Sequence, residues 1–415
     1  MLADAAELAL KVVGLGLLHR LLDLSHWSQT ISTVYMVLAG MFAISFWLLR
    51  YPLSAFRSSR SRGGLSLSQV DQFCDRPLLI GHRGCRDVWP ENTLAAFQHA
   101  YDCGADMIEL DVRRSMDGQL WVHHDPVWRR MCGDERAVAA TSGAPPSIRL
   151  PTEGDAWAQG HCISHAERAR GVCRSSPGHK PDRRVPTLEE VLDLWREESE
   201  RRASERRVRR CGTEPGLPRR AGLLIEFKEH DEKAFQQVHA LLCDRVRYPG
   251  LRESVWWFSL RESANARLRA IDPGIISVAS IRAVARTLLL FYTGLLPFSR
   301  ISDVPEVFGL PLPSTFSPKV VAARLAQNSR AVRAAPRWAV RGAVALVINA
   351  FASPLLMRHM RARGKLTCTL GVNTLTDLAL TAALGGSGSF ARAHHGALTD
   401  RPGRIAEMLR QQASM

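Results

Sequence analysis

The segment 78–112, LLIGHRGCRDVWPENTLAAFQHAYDCGADMIELDV, reads as one strand–helix–strand unit. A short apolar strand at 78–81 precedes helical spacing of apolar residues over 93–103, and a second apolar strand follows at 107–112. Asn92 or Thr93 can cap the helix, and Gly104 can end it. Such a unit places two parallel strands side by side with a helix across one face, which predicts an α/β fold.

The same alternation of strands and helices recurs along the chain. Further strands are predicted at 120–123, 223–227, 255–259, 275–278 and 366–372, with a short last one at 397–399, and helices at 188–207, 263–271 and 355–363. Eight such units would close into a (β/α)8 barrel, so we expect a parallel barrel rather than an open sheet.

An uncharged stretch of nineteen residues at 31–49, ISTVYMVLAGMFAISFWLL, is long enough for a transmembrane helix. Arg50, Arg57 and Arg60 follow it, and the positive-inside rule would place them in the cytosol. A cleavable signal peptide and a buried core helix are the alternatives. We interpret residues 1–64 as a membrane anchor with a basic linker, and 65–415 as the barrel domain with insertions at about 133–184 and 196–220. We expect a single-pass membrane protein that is located in the endoplasmic reticulum or another internal membrane.

The charge of the chain is strongly basic, with 55 Lys+Arg against 40 Asp+Glu and a formal net charge of +15 over 415 residues. A hydrophobic content of 46% excludes a disordered or collagen-like chain. Nothing resembling a nucleic-acid-binding motif accompanies the charge, so we expect no nucleic-acid partner and favour an anionic membrane surface. The nine cysteines contain no C-x-x-C pair, which supports neither a zinc site nor a disulfide framework.

Polar residues fall at the ends of the predicted strands. His82 and Arg83 follow the first strand and His124 closes the third, while Glu109/Asp111 and Glu226/Lys228 are two apart within strands. Residues two apart in a strand project to the same side, and the carboxyl ends of barrel strands carry the site in barrel enzymes. We therefore expect these seven side chains to meet at one edge.

Together these residue types suit phosphodiester cleavage. Three carboxylates without a thiol favour a hard divalent cation, Mg²⁺ or Ca²⁺. Arg83 and Lys228 can contact a phosphate, and two histidines can serve as an acid–base pair.

Seven short motifs then make the chain recognisable. They are Gly81-His82-Arg83-Gly84, Pro90-Glu91-Asn92-Thr93, Glu109-Leu110-Asp111, Asp117-Gly118, His124-Asp125-Pro126, Pro186-Thr187-Leu188-Glu189-Glu190-Val191 and Ile225-Glu226-Phe227-Lys228. In order and spacing they resemble the glycerophosphodiester phosphodiesterase family. The stretch 288–298 and the early apolar helix resemble its membrane-anchored lysophospholipase D branch.

The resemblance implies a TIM barrel that releases the headgroup alcohol of lysophospholipids and leaves lysophosphatidic acid. It implies His82 and His124 as catalytic residues, and Glu109, Asp111 and Glu226 as metal ligands. Arg83 and Lys228 would contact the substrate phosphate, with Glu91 and Asn92 in support. His124, rather than His123, matches the motif because it precedes Asp125-Pro126.

Two departures from the family pattern stand out. The stretch Thr369–Asn373 lacks the tryptophan that often precedes this asparagine, and 385–395 is longer and richer in Gly and Ser than the usual link. The apolar stretch 288–298 suits either an interfacial flap near the barrel mouth or an ordinary core helix. Two other functions stay open: hydrolysis of soluble glycerophosphodiesters, and a non-catalytic membrane scaffold.

Overall fold

The computed structural model describes residues 78–148, 184–209, 221–292, 307–311, 365–384 and 396–413, with the isolated positions 296, 322, 336–338, 340, 356–357 and 360. The predicted transmembrane helix at 31–49, and with it the whole predicted anchor and linker at 1–64, lies outside these residues. Within them, no helix combines the length and the apolar character needed to cross a membrane.

Nine strands form one sheet in the described residues. They are β1 (Leu78–His82), β2 (Met107–Arg114), β3 (Leu120–Val122), β4 (Gly222–Phe227), β5 (Val255–Phe258), β6 (Ile276–Ser277), β7 (Val307–Pro311), β8 (Leu366–Leu370) and β9 (Gly396–Thr399). Eight run parallel in the order β6-β5-β4-β2-β1-β9-β8-β7, and β3 pairs antiparallel with β2.

The two ends of the parallel sheet meet at one point. Val278, directly after β6, forms a parallel bridge with Val307 at the start of β7. The Ala279 N–H donates to the Val307 carbonyl at 2.9 Å. The eight strands thus form a near-closed barrel, which confirms the (β/α)8 architecture predicted from the sequence. The sequence does not predict β7, since Gly309 and Pro311 are both disfavoured inside strands.

Eight α-helices of the described residues connect or flank the strands. They are α1 (Leu94–Asp102), α2 (Arg129–Cys132), α3 (Leu188–Arg209), α4 (Glu232–Cys243), α5 (Glu262–Ile271), α6 (Ile281–Tyr292), α7 (Leu375–Leu384) and α8 (Pro402–Ala413). Most of them follow a strand and lead to the next, as the alternating pattern predicts.

The first strand–helix–strand unit shows how the sequence fixes the local geometry. Thr93 caps α1 by accepting a hydrogen bond from the Ala96 N–H. Gly84 has a φ of +85°, and a Cβ there would lie 2.6 Å from the Ala96 carbonyl carbon. Only glycine therefore lets the turn after β1 lie against α1. The helix in turn packs on the sheet through Phe97 and Tyr101, which are fully buried.

Alternation along the strands divides the core into two layers. One set of strand residues, including Leu78, Ile80, Met107, Leu224 and Trp256, packs together inside the barrel. The residues between them pack outward against the helices. His82, Glu109 and Glu226 each lie two residues after a member of this inward set on the same strand. Their side chains therefore face the barrel interior as well.

The described parts of the two predicted insertions are packed against the barrel. In the first, Val138 and Ile148 are buried in a cluster with Trp121 and Trp128. In the second, residues 196–209 continue α3. There Arg202 is buried, and its guanidinium donates to the Ala105 carbonyl at 2.8 Å. This part of the charged stretch is therefore attached to the core.

The beginning of the stretch 288–298 forms the last turns of α6. Leu288 and Phe291 are buried in a cluster with Phe308, the second residue of β7. This half of the stretch thus serves as a core helix, although Leu289 is exposed.

Candidate active site

Three carboxylates lie together inside the barrel at the carboxyl end of the strands. Glu109 and Asp111 come from β2 and Glu226 from β4, and the strand register places Asp111 beside Glu226. One oxygen of each lies within 4.8 Å of the others. All three residues are buried, and Asp111 is completely inaccessible. The two-residue spacing in the sequence thus does bring these side chains to one place.

Two cations balance part of this negative charge. The Lys228 Nζ lies 2.9 Å from Asp111 Oδ1 and 2.7 Å from Glu226 Oε1. The Arg83 Nε lies 3.2 Å from Asp111 Oδ2, and the Arg83 backbone N–H donates to Glu109 Oε2 at 2.9 Å. Both positive residues predicted for phosphate contact therefore lie among the carboxylates.

The charges act unequally on the three carboxylates. Burial and the neighbouring charges of Asp111 and Glu226 raise the pKa of Glu109 well above its usual range. Burial also opposes ionisation of Asp111, but Lys228 and Arg83 hold the pKa of Asp111 well below its usual range. Burial alone would lower the pKa of Lys228, yet Asp111 and Glu226 raise it. Lys228 and Arg83 therefore stabilise the ionised form of Asp111, but they do not offset the repulsion that Glu109 experiences from the other two carboxylates.

The donor set fits a hard divalent cation. All three ligand atoms are carboxylate oxygens, the type that Mg²⁺ and Ca²⁺ prefer. Glu109 Oε1 is buried and has no hydrogen-bond partner among the described residues, an arrangement that is costly unless a cation or water is bound. The residues present thus could hold a divalent metal, and the geometry does not distinguish Mg²⁺ from Ca²⁺.

His82 ends β1 beside this cluster. Its Nδ1 lies 2.7 Å from Asp400 Oδ1, and its Nε2 lies 4.0 Å from Glu109 Oε2. Asn373 positions Asp400: its amide donates to Asp400 Oδ2 at 3.2 Å, and its Oδ1 accepts from the Asp400 N–H at 2.9 Å. Asp400 thereby fixes the ring so that Nε2 points towards the carboxylates.

His124 follows β3 and is held in a similar way. Its Nδ1 lies 2.7 Å from Asp125 Oδ1. Its carbonyl accepts from Arg113 Nε at 3.1 Å and Nη2 at 2.8 Å. The backbone N–H of the preceding residue, His123, donates to the Asp111 carbonyl at 2.9 Å, so His124 lies next to the strand end that carries Asp111.

His123, the neighbour of His124 in the chain, lies in the core. It is buried, its Nε2 lies 3.3 Å from the Val127 carbonyl, and its ring lies 4.7 Å from that of Trp128. Burial lowers the pKa of His123 to about 4. His123 is therefore a neutral core residue at physiological pH, and His124 is the histidine that reaches the site.

Glu91 and Asn92 support the cluster from the loop before α1. The Asn92 amide donates to Asp111 Oδ2 at 2.8 Å, and Glu91 accepts from Arg83 Nη1 at 2.8 Å. Arg83 and Asn92 both have positive φ, of 55° and 57°. Such backbone strain persists where the surrounding contacts enforce it, and it is common at functional sites.

The sequence reasoning missed four residues that position the site. Asp125 and Asp400 orient the two histidines, and Asn373 holds Asp400. Arg130 holds Asp125 and Glu91: its Nε lies 2.5 Å from Asp125 Oδ2, and its Nη2 lies 2.5 Å from Glu91 Oε1. Asp125 is part of the His124-Asp125-Pro126 motif, but its partners and those of Asp400 become evident only in the folded chain.

The chain is similar in sequence to known phosphodiesterases. The pattern of the glycerophosphoryl diester phosphodiesterase family matches residues 82–203. Lysophospholipase D GDPD1 of Rattus norvegicus is 28% identical over 279 residues, covering 67% of this chain and 70% of the rat protein. A glycerophosphodiester phosphodiesterase of Bacillus subtilis is 29% identical over 163 residues, covering 38% of this chain and 46% of its own.

A solved structure supports the fold. A Silicibacter pomeroyi protein assigned as a glycerophosphoryl diester phosphodiesterase superposes with a TM-score of 0.50 at 18% identity, over 83% of this chain and 98% of its own. At that identity the likeness concerns the barrel alone. Fold, site and relatives together make this chain an enzyme, a phosphoric diester hydrolase. Its sequence matches the glycerophosphoryl diester phosphodiesterase family over residues 82–203, and the proteins similar to it include members of the lysophospholipase D branch.

Proposed function

We propose that the chain is a metal-dependent lysophospholipase D that releases the headgroup alcohol of a lysophospholipid and leaves lysophosphatidic acid. The observation that carries the proposal is the buried cluster of Glu109, Asp111 and Glu226 beside two histidines that are each oriented by an aspartate. The likeness to the rat lysophospholipase D, over two thirds of both chains, supports the choice of substrate.

The chain's own side chains supply most of the chemistry that this reaction needs. Arg83 and Lys228 lie beside the carboxylates and would hold the phosphate oxygens by charge-assisted hydrogen bonds. A bound Mg²⁺ or Ca²⁺, held by Glu109, Asp111 and Glu226, would stabilise negative charge on those oxygens.

His82 and His124 would move the two protons of the reaction. Because an aspartate accepts from each Nδ1, each Nε2 is the atom that exchanges a proton. One Nε2 accepts a proton as a water oxygen attacks phosphorus. The other protonates the headgroup oxygen as its bond to phosphorus breaks. The geometry is compatible with either assignment of base and acid.

A second candidate function is hydrolysis of soluble glycerophosphodiesters to glycerol 3-phosphate and an alcohol. The likeness to the Bacillus subtilis glycerophosphodiester phosphodiesterase favours it. The two reactions share every site residue, since they differ only in whether the glycerol carries an acyl chain. A non-catalytic membrane scaffold is the remaining alternative.

The membrane proposal rests on the sequence. The uncharged stretch 31–49 and the arginines after it would anchor the enzyme as a single-pass protein of the endoplasmic reticulum or another internal membrane. An anchor next to the barrel would keep it near lysophospholipids. Fractionation of cells expressing the full chain, with alkaline extraction of the membranes, tests this; release of the protein into the supernatant would contradict it.

The substrate experiment uses the full chain purified in detergent. Choline release is measured from lysophosphatidylcholine and, separately, from glycerophosphocholine, after EDTA treatment and then with Mg²⁺ or Ca²⁺ restored. We expect release from the lysolipid, its loss with EDTA, and its recovery with one of the two ions. Glu226→Gln should abolish release, whereas Glu232→Gln, on the exposed start of α4, should leave it unchanged.

Each other outcome decides between the alternatives. Release from glycerophosphocholine alone favours the second candidate. Activity that survives EDTA contradicts the metal assignment. No release from either substrate by the unaltered chain favours the scaffold.

A further inference from the structure

A second group of metal-ligating side chains lies at the opposite edge of the barrel. His239 and Cys243 are four residues apart on α4, so they share one face of the helix. Asp272 is the residue directly after α5 and caps its carboxyl end. It comes shortly before β6, and the strand amino ends face away from the edge where His82 and Asp400 lie. The group is therefore separate from the active site.

The donor atoms are spaced as ligands of one small ion. The His239 Nε2 lies 3.2 Å from Asp272 Oδ2 and 3.4 Å from Cys243 Sγ, and all three donors are within 4.8 Å of one another. Zn–N distances of about 2.0–2.1 Å and Zn–S of about 2.3 Å imply donors about 3.3–3.6 Å apart in a tetrahedral site. A single ring nitrogen therefore faces both a sulfur and an oxygen at the separations that such an ion requires.

Neighbouring residues hold two of the donors in place. Arg252 donates to both oxygens of Asp272 at 2.7 Å, and the Gly274 N–H donates to Oδ1 at 2.8 Å. These bonds hold the carboxylate of Asp272 in an orientation in which Oδ2, which accepts from Arg252, also faces His239. The ring of His239 lies 6.2 Å from that of Trp257, which is fully buried. Ligands that are already oriented bind a metal at a lower cost in side-chain entropy.

We propose that His239, Cys243 and Asp272 bind a zinc-class divalent transition metal that joins the end of α4 to the end of α5. A thiolate, an imidazole and a carboxylate form a donor set that zinc favours and that Mg²⁺ and Ca²⁺ do not. The thiolate and carboxylate charges together match the charge of the ion, although Arg252 adds one positive charge nearby. Cys243 is exposed, so solvent can supply the fourth ligand. The ion would stabilise the folded barrel, because the unfolded chain does not hold the three donors together.

Cobalt distinguishes this site from the carboxylate cluster. Co²⁺ bound by a thiolate gives a charge-transfer band in the near ultraviolet, which an all-oxygen site cannot give. The full chain in detergent, reduced and freed of metal by chelation, is titrated with Co²⁺ and then with Zn²⁺. We expect one equivalent of Co²⁺ to produce the band and Zn²⁺ to remove it.

Variants identify the ligands. Cys243→Ser and His239→Ala should each abolish the band, whereas Cys132→Ser, a matched cysteine change in α2, should keep it. Zn²⁺ should raise the thermal midpoint of the unaltered chain more than that of Cys243→Ser, while choline release with Mg²⁺ or Ca²⁺ stays the same in both. No band in the unaltered chain, or a band that persists in Cys243→Ser, overturns the proposal.

Discussion

The two histidines at the active site are oriented alike but anchored differently. In each, Nδ1 lies 2.7 Å from an aspartate oxygen. Asp125 is the next residue after His124, and Arg130 in the short helix α2 holds it. Asp400 lies 318 residues from His82 in the chain, and Asn373 holds it from the loop after β8.

This difference shows that one half of the site is local and the other depends on the pairing of the first strand in the chain with the last two. The His124 arm, meaning His124 and the residues that hold it, needs only β2, β3 and the segment that follows β3, which are close together in the chain. The His82 arm needs β1, β9 and β8 side by side, because their ends carry His82, Asp400 and the loop with Asn373. A change that loosens the pairing of β9 with β1 and β8 should therefore reach His82 before His124.

The largest effect is expected from removing either histidine. His82→Ala and His124→Ala should each lower kcat for choline release by about 10²–10⁴-fold, the usual contribution of a positioned acid or base. Equal losses would support complementary roles for the two residues. His123→Phe is the matched control, since His123 is buried beside Trp128 and does not reach the carboxylates. Retention of activity in either alanine variant would contradict the assignment.

His123 itself should affect stability rather than catalysis. Its pKa is about 4 in the folded chain against 6.5 when unfolded, so between these pH values the unfolded state binds more protons. This contribution to the free energy of unfolding is complete above pH 6.5 and is lost as pH falls towards 4. The loss amounts to about 3 kcal/mol. Denaturant unfolding at both pH values should show a drop smaller by that amount in His123→Phe; an identical drop in both proteins would refute this account.

The aspartates should have intermediate effects that test the two anchoring modes. Asp400→Asn and Asp125→Asn should each lower kcat by about 10–100-fold, the range seen when carboxylates that orient a histidine are removed, with little change in KM. The asparagines keep the shape but present a neutral group to Nδ1. If both variants instead raise KM and leave kcat unchanged, the aspartates act on substrate binding rather than on the histidines.

The smallest effects should come from the residues that hold the aspartates. Asn373→Ala removes two contacts to Asp400 and should cost about 1–3 kcal/mol of stability with a several-fold loss of kcat. Arg130→Met should cost less stability, since the Arg130 side chain is 35% exposed and solvent weakens its ion pairs. Thermal unfolding and kcat for both variants measure this. A larger loss of stability in Arg130→Met would contradict the proposed dependence of the His82 arm on the pairing of distant strands.

Much of the site follows from local patterns. The two-residue spacing of Glu109 and Asp111 predicts that they project together, and the structure places them with Glu226 in one cluster. The motif that selects His124 over His123 agrees with the burial of the two residues. Patterns of this kind are informative because side chains alternate strictly along a strand, whatever the rest of the chain does.

Other features depend on contacts that no local pattern encodes. The strand β7 contains glycine and proline, yet it pairs with β8 along its whole length. The cysteines show no zinc spacing in the sequence, but Cys243 and His239 meet Asp272 from another helix. Cysteine spacing along the chain can indicate only those sites whose ligands are close in sequence.

The sequence by itself determined the alternation of strands and helices, the inward carboxylates and the two histidines at strand ends. It did so because backbone geometry fixes side-chain direction over a few residues. Only the tertiary structure decided which distant residues orient those histidines, as when Asp400 pairs with His82. That pairing arises because β9, the last strand in the chain, lies parallel to β1, the first, and no pattern over a few residues encodes a pairing between strands so far apart.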